Sequence, residues 1–410
     1  MSRAWAIFAV TAVGFVLSMF YRSSVSIIAP QLVRQWGLTP AQLGVLSAAF
    51  FYAFAASQVP LGLALDRYGP RRVMTLLGAV AVAGAVVFAL ASSYSTAVTG
   101  RVLMGIGMSC NLMGTFTLMA TWFPPERFAT VNGLMVATGA LGQMLAASPL
   151  AAMAETWGWQ SAFFLIAAIN AVELMALWIV VRDRPPTASS PPPPASPLSG
   201  LARLARMGSF WAMGMAAFFR YGCMMVIQGL WAGPWLISAL KMDPVKAGNV
   251  LLAMALGYMI GLPLVGRLSD WLGRRKAVIA PSLLVMAILI ASLSLFNPGA
   301  SALAVGTIFF LLGVACAPGQ IMYPHIKELV PSNLIATAMT SVNLFTMLGP
   351  AALMQATGWL VPSSTSALAN PSTFIPVWLS MAAGLTLSFL AYLPIPDPLR
   401  GLQTPKEMRA

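Results

Sequence analysis

The sequence predicts an all-α membrane protein whose twelve spanning helices form two six-helix bundles related by a pseudo-twofold axis. Three observations lead there. Hydrophobic residues fill 59% of the 410 positions and charged residues only 8%. A soluble domain carries about a quarter charged residues, so this chain cannot clothe a water-facing surface, and its solvent must be lipid. Apolar stretches recur at the length of roughly 20 residues that one spanning helix requires. One short motif also appears twice, at the same place in each half of the chain.

In order, the apolar stretches cover residues 5–30, 43–63, 74–91, 97–119, 133–153, 160–181, 209–238, 249–266, 277–295, 301–323, 336–357 and 373–393. They are continuously apolar and do not alternate, which selects helices over barrel strands, and each helix satisfies its own backbone in lipid. The first runs past the apolar core of a leader into Tyr21 and Arg22 with no clear small-residue cleavage site, so it reads as a span. The second and eighth lead into the two copies of the motif, and the third and ninth follow them. The fourth carries Arg101 near its start. Gly133, Gly139 and Gly142 in the fifth, like Gly349 and Pro350 in the eleventh, suit close crossing and bending. The sixth holds Glu173 beside Asn170. After it, the proline-rich stretch Pro185 to Pro197 favours an extended, unpacked linker. The chain therefore divides into a bundle over 1–182, a linker over 183–208 and a bundle with a short tail over 209–410. The seventh stretch holds Arg220, the tenth ends at Tyr323, and the twelfth precedes the tail.

A net charge of +13 suggests a nucleic-acid partner until the charges are placed. On this map 17 of the 23 Lys and Arg residues fall on one side. The other side holds only Arg34, Lys241 and Lys246. This positive-inside bias puts both termini in the cytoplasm of a bacterial-type inner membrane and excludes a polyanion partner as the reason for the charge. Cys110, Cys223 and Cys316 lie far apart within spans, in no metal-ligand spacing, and read as packing residues. Neither metal nor cofactor is expected.

The repeated motif reads G-x-x-x-D-x-x-G followed by basic residues. Its copies are Gly62, Asp66, Arg67, Gly69, Arg71 and Arg72, and Gly266, Asp270, Gly273, Arg274 and Arg275. It resembles the loop signature between helices 2 and 3 of the major facilitator superfamily, and the likeness covers essentially the whole chain. Trp122 to Arg127 is similar to a W-F-P-x-E-R loop of anion-transporting branches. Arg101, with Gly105 and Gly107 behind it, resembles the family's helix-4 arginine motif. The resemblance implies two bundles rocking about a central path, with the Asp66 and Asp270 clusters and Arg101 as gating elements. Physically, a carboxylate at a helix C-terminus opposes the macrodipole and needs a cation or another helix's N-terminus beside it.

Inside the spans stand two arginines, Arg22 in the first and Arg220 in the seventh. These positions are equivalent under the repeat, so the side chains are expected to face one another across the axis. An arginine at bilayer depth costs about 3 kcal/mol or more. No carboxylate is visible in the first, fourth, seventh or tenth span to pair with either. Their forked guanidinium groups match a carboxylate or phosphate, and the expected partner is the substrate. Tyr21 and Tyr221 stand adjacent. Gln58 and Gln228 are further candidates for the path, Gln228 because it lies two turns from Arg220 on one face. Asn111, Gln143 and Asn343 either line the path or hold helices together.

This pattern is similar to the organophosphate:phosphate antiporters and to the anion:cation symporters. Ser23 and Gln58 stand where the phosphate exchangers carry lysine, which favours a carboxylate over a phosphate ester. Tyr21 stands where carboxylate symporters carry an acid, which leaves the coupling partner open between a proton and a counter-transported anion. Glu173 is the one acid deep in a span, and it is expected to pair with Asn170. His325 is a second titratable candidate, expected in an exposed loop. A rival reading is efflux of an amphipathic drug or siderophore-like compound, with the 26 methionines and Trp231 with Trp235 forming an adaptable cavity. Enzyme chemistry would need a His, Asp or Glu constellation at membrane depth, and none is visible. The working unit is expected to be a monomer in lipid.

Overall fold

A computed structural model describes residues 3–183, 203–331, 335–362 and 368–397. Most of the linker, Pro185 to Pro197 included, lies outside them. The helices are α1 (Arg3–Trp36), α2 (Pro40–Tyr68), α3 (Pro70–Ala89), α4 (Tyr94–Met108, resuming as Asn111–Trp122), α5 (Pro125–Leu145, resuming as Ser148–Thr156) and α6 (Gly158–Val180). The second set is α7 (Gly208–Ala239), α8 (Pro244–Leu272), α9 (Lys276–Leu295), α10 (Ala302–Leu329), α11 (Ile335–Leu360) and α12 (Ile375–Tyr392). Among the described residues, eleven helical segments are long and apolar enough to cross a membrane. The 26-residue α11 completes the expected twelve.

Several helices outrun the apolar stretches that predicted them. α1 continues through Pro30 to Trp36, and α2 starts at a capping box in which Thr39 and Gln42 satisfy each other's backbone N–H groups. The α2–α3 turn depends on Gly69, at φ 80°, where a Cβ would also strike the Asp183 carboxylate. The counterpart turn after α8 uses Gly273 at φ 63°. Breaks have identifiable causes. Pro149, lacking an N–H, follows the interruption of α5. Pro318 accompanies a 3₁₀ segment, Ala317–Ile321, inside α10.

α1–α6 form one bundle and α7–α12 the other, meeting along α1–α7, α2–α11 and α5–α8. Small residues permit the approach. A Cβ on Gly44 would come within 2.6 Å of the Met354 carbonyl, one on Gly248 within 2.7 Å of Ser148, and one on Gly233 would overlap the Ser26 carbonyl. Gly233 N–H donates to Ser26 Oγ at 2.8 Å, Ser148 Oγ to Asn249 Oδ1 at 2.6 Å and Tyr52 OH to Gln355 Oε1 at 2.7 Å. Every hydrogen bond between the bundles that joins two described residues lies at the depth of Arg22 or beyond it, toward the end away from the basic loops.

Candidate functional site

Arg22, 3% exposed, sits where the bundles meet. Its Nη1 donates to Tyr221 OH at 3.1 Å and lies 3.8 Å from Met347 Sδ, both in the second bundle. The guanidinium rests 4.5 Å over the ring of Phe54, a cation–π contact that stabilises charge without neutralising it. Nε is buried without a partner. Arg220, 2% exposed, turns instead toward α10. Its Nη1 donates to the Cys316 carbonyl at 2.9 Å and lies 3.4 Å from Cys316 Sγ, and its Nε is again unpartnered. Gly319 is what admits this guanidinium, since any Cβ there would overlap it. Neither arginine has a carboxylate within 4.0 Å among the described residues.

Arg22 thus meets Tyr221, the residue that follows Arg220, but the two guanidinium groups do not point at each other as the repeat predicts. Tyr323 donates to Asn343 Oδ1 at 3.2 Å. Beside Arg220, Gln320 Nε2 donates to Tyr258 OH at 3.0 Å. Gln228 lies in a π-helical turn, Ile227–Trp231, and both of its amide atoms are buried and unpartnered. Such turns recur at functional sites, and an unsatisfied buried amide calls for an explanation. The next residue, Gly229, packs against the Arg22 carbonyl.

Other expected site residues lie elsewhere. Tyr21 turns into its own bundle, its ring 5.9 Å from Phe20 and 6.4 Å from Phe163, so it does not join Arg22. Successive helical residues point about 100° apart, and α6 takes Tyr21. Gln58 Nε2 donates to the Ser109 carbonyl at 3.1 Å, which meets the break in α4. Asn111 Nδ2 reaches the Gly14 carbonyl at 3.3 Å. Glu173 accepts from Asn170 Nδ2 at 3.2 Å, the expected pair. His325 is buried within α10, contrary to an exposed loop, with Nδ1 2.7 Å from Tyr392 OH and Nε2 3.1 Å from the Pro396 carbonyl. Trp231 and Trp235 are fully buried in the second bundle. Trp231 donates to Thr357 Oγ1 at 2.9 Å and Trp235 packs on Trp378, so the pair does not line an open cavity.

The basic loops separate into distinct arrangements. In the first bundle Arg71 N–H donates to Asp183 Oδ1 at 2.7 Å, capping α3, while its guanidinium lies 4.1 Å over Trp178 and donates to that residue's carbonyl. Arg67 lies 5.4 Å over Tyr68, and Arg72 is exposed. The Asp66 side chain is outside the described set. In the second bundle Arg275 Nη1 meets Asp270 Oδ1 at 2.8 Å and Ser269 Oγ at 2.9 Å, and its Nε lies 3.5 Å from Glu328. Arg274 is exposed. Arg101 belongs to neither loop. Fully buried, it donates to the Tyr21 carbonyl at 2.6 Å and the Leu46 carbonyl at 3.4 Å. Leu46 precedes Asp66 on α2 by roughly 30 Å at the helical rise, so Arg101 is a clamp on α1 and α2.

Phe54, Met347, Tyr258 and Gln320 escaped the sequence reading. The polar pair Tyr258 and Gln320, inside apolar spans, was the available signal; Phe54 and Met347 left none.

A profile of the Major Facilitator Superfamily matches residues 11–232 and again 216–409. A probable 4-methylmuconolactone transporter of Cupriavidus pinatubonensis is 27% identical over 344 residues, covering 80% of this chain and 76% of that one. A hexuronate transporter of Bacillus subtilis is 27% identical over 346 residues, 78% of each chain. A solved bacterial homologue of the human lysosomal transporter Spinster, inward-facing and unoccupied, superposes with a TM-score of 0.75 at 16% identity, over 96% of this chain and 98% of that one.

Proposed function

The chain belongs to the major facilitator superfamily, and on that footing we propose that it is a secondary active transporter of a small organic anion, a carboxylate in preference to a phosphate ester, working by alternating access across the inner membrane. One observation carries the reading. Arg22 and Arg220 are buried, lack a carboxylate within 4.0 Å among the described residues and each keep an unpartnered Nε. A buried charge without a counter-ion is strongly disfavoured, and an anion held by these guanidinium groups removes that cost. Phe54 and Met347 beside Arg22 suit the apolar part of such an anion, and the Gln228 amide has capacity for a second polar group. The relatives' names, a muconolactone and a hexuronate, belong to the same chemical class of small organic acids.

With the basic loops in the cytoplasm, contacts closing the far end correspond to an inward-facing state. In the opposite state the Asp66 and Asp270 clusters latch the cytoplasmic end. The coupling partner is a proton or a counter-transported anion.

A thermal-shift panel on the purified protein tests the anion site. Small carboxylates are expected to raise the melting temperature, lipophilic cations are not, and Arg22→Lys and Arg220→Lys each abolish the rise because lysine keeps charge but loses the fork. Stabilisation by cations, or carboxylate stabilisation surviving in both variants, would overturn it.

A further inference from the structure

α8 and α10 cross at two glycines: a Cβ on Gly257 would overlap the Phe310 carbonyl, and one on Gly313 the Met254 carbonyl. Toward the end away from the basic loops they leave a groove of about 370 Å³. Lys246, Asn249 and Val250 line it from α8, and Leu303, Gly306 and Phe310 from α10. Both sets have the spacing of one helix face. Leu303 is 81% exposed, and nothing lies within 4 Å of where a Gly306 Cβ would stand, so the groove opens away from the protein. In a membrane-spanning chain, that direction is lipid.

The walls are apolar while the rim is not. Lys246 and Asn249, three residues apart, present their polar groups side by side. Among the described residues the Lys246 ammonium has no carboxylate within 4.0 Å and Asn249 Nδ2 has no acceptor, although Asn249 Oδ1 is held by Ser148 Oγ at 2.6 Å. Asp243 Oδ1 caps α8 by accepting from the Val245 and Lys246 N–H groups at 3.0 and 3.2 Å, and its carboxylate lies more than 4.0 Å from the Lys246 ammonium. Lys246 is also one of only three cations, with Arg34 and Lys241, that the sequence places at this end. An apolar slot under two unused donors at a helix end has the shape and charge of a phospholipid site.

We propose that this groove binds an anionic phospholipid, one acyl chain lying between Val250 and Phe310 and the headgroup phosphate accepting from Lys246 Nζ and Asn249 Nδ2. The site does not depend on the substrate assignment.

Native mass spectrometry of the full-length protein in neutral detergent, titrated with phosphatidylglycerol, phosphatidylcholine or glycerol 3-phosphate, tests it. Phosphatidylglycerol is expected to be retained in preference to phosphatidylcholine. Lys246→Gln lowers that retention about fivefold, the equivalent of roughly 1 kcal/mol for one basic side chain near an anionic surface. Gly306→Leu fills the slot and removes the retained lipid while the carboxylate-dependent thermal shift persists. Equal retention of the two lipids, retention unchanged in both variants, or displacement by glycerol 3-phosphate, which marks a soluble-anion site, each overturns the proposal.

Discussion

Arg22 reaches across the interface to Tyr221, its Nη1 donating to the phenol oxygen at 3.1 Å. The pairing follows from a reversal of order. α1 reads Tyr21-Arg22 and α7 reads Arg220-Tyr221, and in each helix the first residue turns into its own bundle while the second faces the other. The interface therefore receives one guanidinium and one phenol, and the second guanidinium stands a step behind, against α10.

Tyr221→Phe removes the one oxygen among the described residues that Arg22 Nη1 meets. A hydrogen bond to a charged group contributes about 1.5–3 kcal/mol, so the equilibrium constant favouring the state closed at the far end should fall tenfold or more. Labelling of Ser26→Cys by a membrane-impermeant maleimide, in a background lacking Cys110, Cys223 and Cys316, reads that equilibrium. Labelling no faster than in the Tyr221 parent would show that this contact does not hold the bundles together.

Gly233→Ala should act in the same direction by a different route. A Cβ there would overlap the Ser26 carbonyl, and overpacking costs about 1–3 kcal/mol, borne only in the state closed at that end. Gly133→Ala is the control, because nothing lies within 4 Å of its Cβ position. Uptake rates in proteoliposomes should fall for Gly233→Ala and hold for Gly133→Ala. Equal rates for both would remove this contact from the transport cycle.

The adjacent arginines of the second loop should separate cleanly. Arg275 bonds Asp270 and Ser269 and is buried, whereas Arg274 is exposed. Arg275→Ala is expected to lower stability by about 1.5–3 kcal/mol, the range for lost hydrogen bonds that include a charged group. Arg274→Ala should remain within about 0.5 kcal/mol. Melting temperatures of the two purified variants decide it, and a larger loss in Arg274→Ala would contradict the assignment.

The twelve spans were legible because lipid imposes length and composition on each helix independently of its neighbours. Arg22 and Arg220 were legible because charge at bilayer depth is rare and costly. What surrounds them was not. Phe54 and Met347 belong to residue types that fill every apolar span, and only the meeting of α1, α2 and α11 makes them neighbours of a guanidinium. Tyr21 was misplaced because adjacency in sequence says nothing about which face a residue takes. Likeness to the helix-4 arginine motif casts Arg101 as a gating element, yet its depth along α4 sets it against the α1 and α2 backbones.

His325 was expected in a loop because a proline precedes it and the apolar stretch has ended. The helix instead continues to Leu329, and the imidazole ties α10 to the chain leaving α12. The Pro396 carbonyl only accepts, so Nε2 carries a proton and donates to it, and in the neutral imidazole Nδ1 accepts from Tyr392 OH. This arrangement describes a structural tie, with no free nitrogen for proton exchange. His325→Leu strands the buried Tyr392 phenol, at a cost of about 1–3 kcal/mol, while the carbonyl of the exposed Pro396 turns to water. The expected result is a lower melting temperature with the pH profile of uptake unchanged. An unchanged melting temperature with a displaced pH profile would instead make His325 part of the coupling machinery.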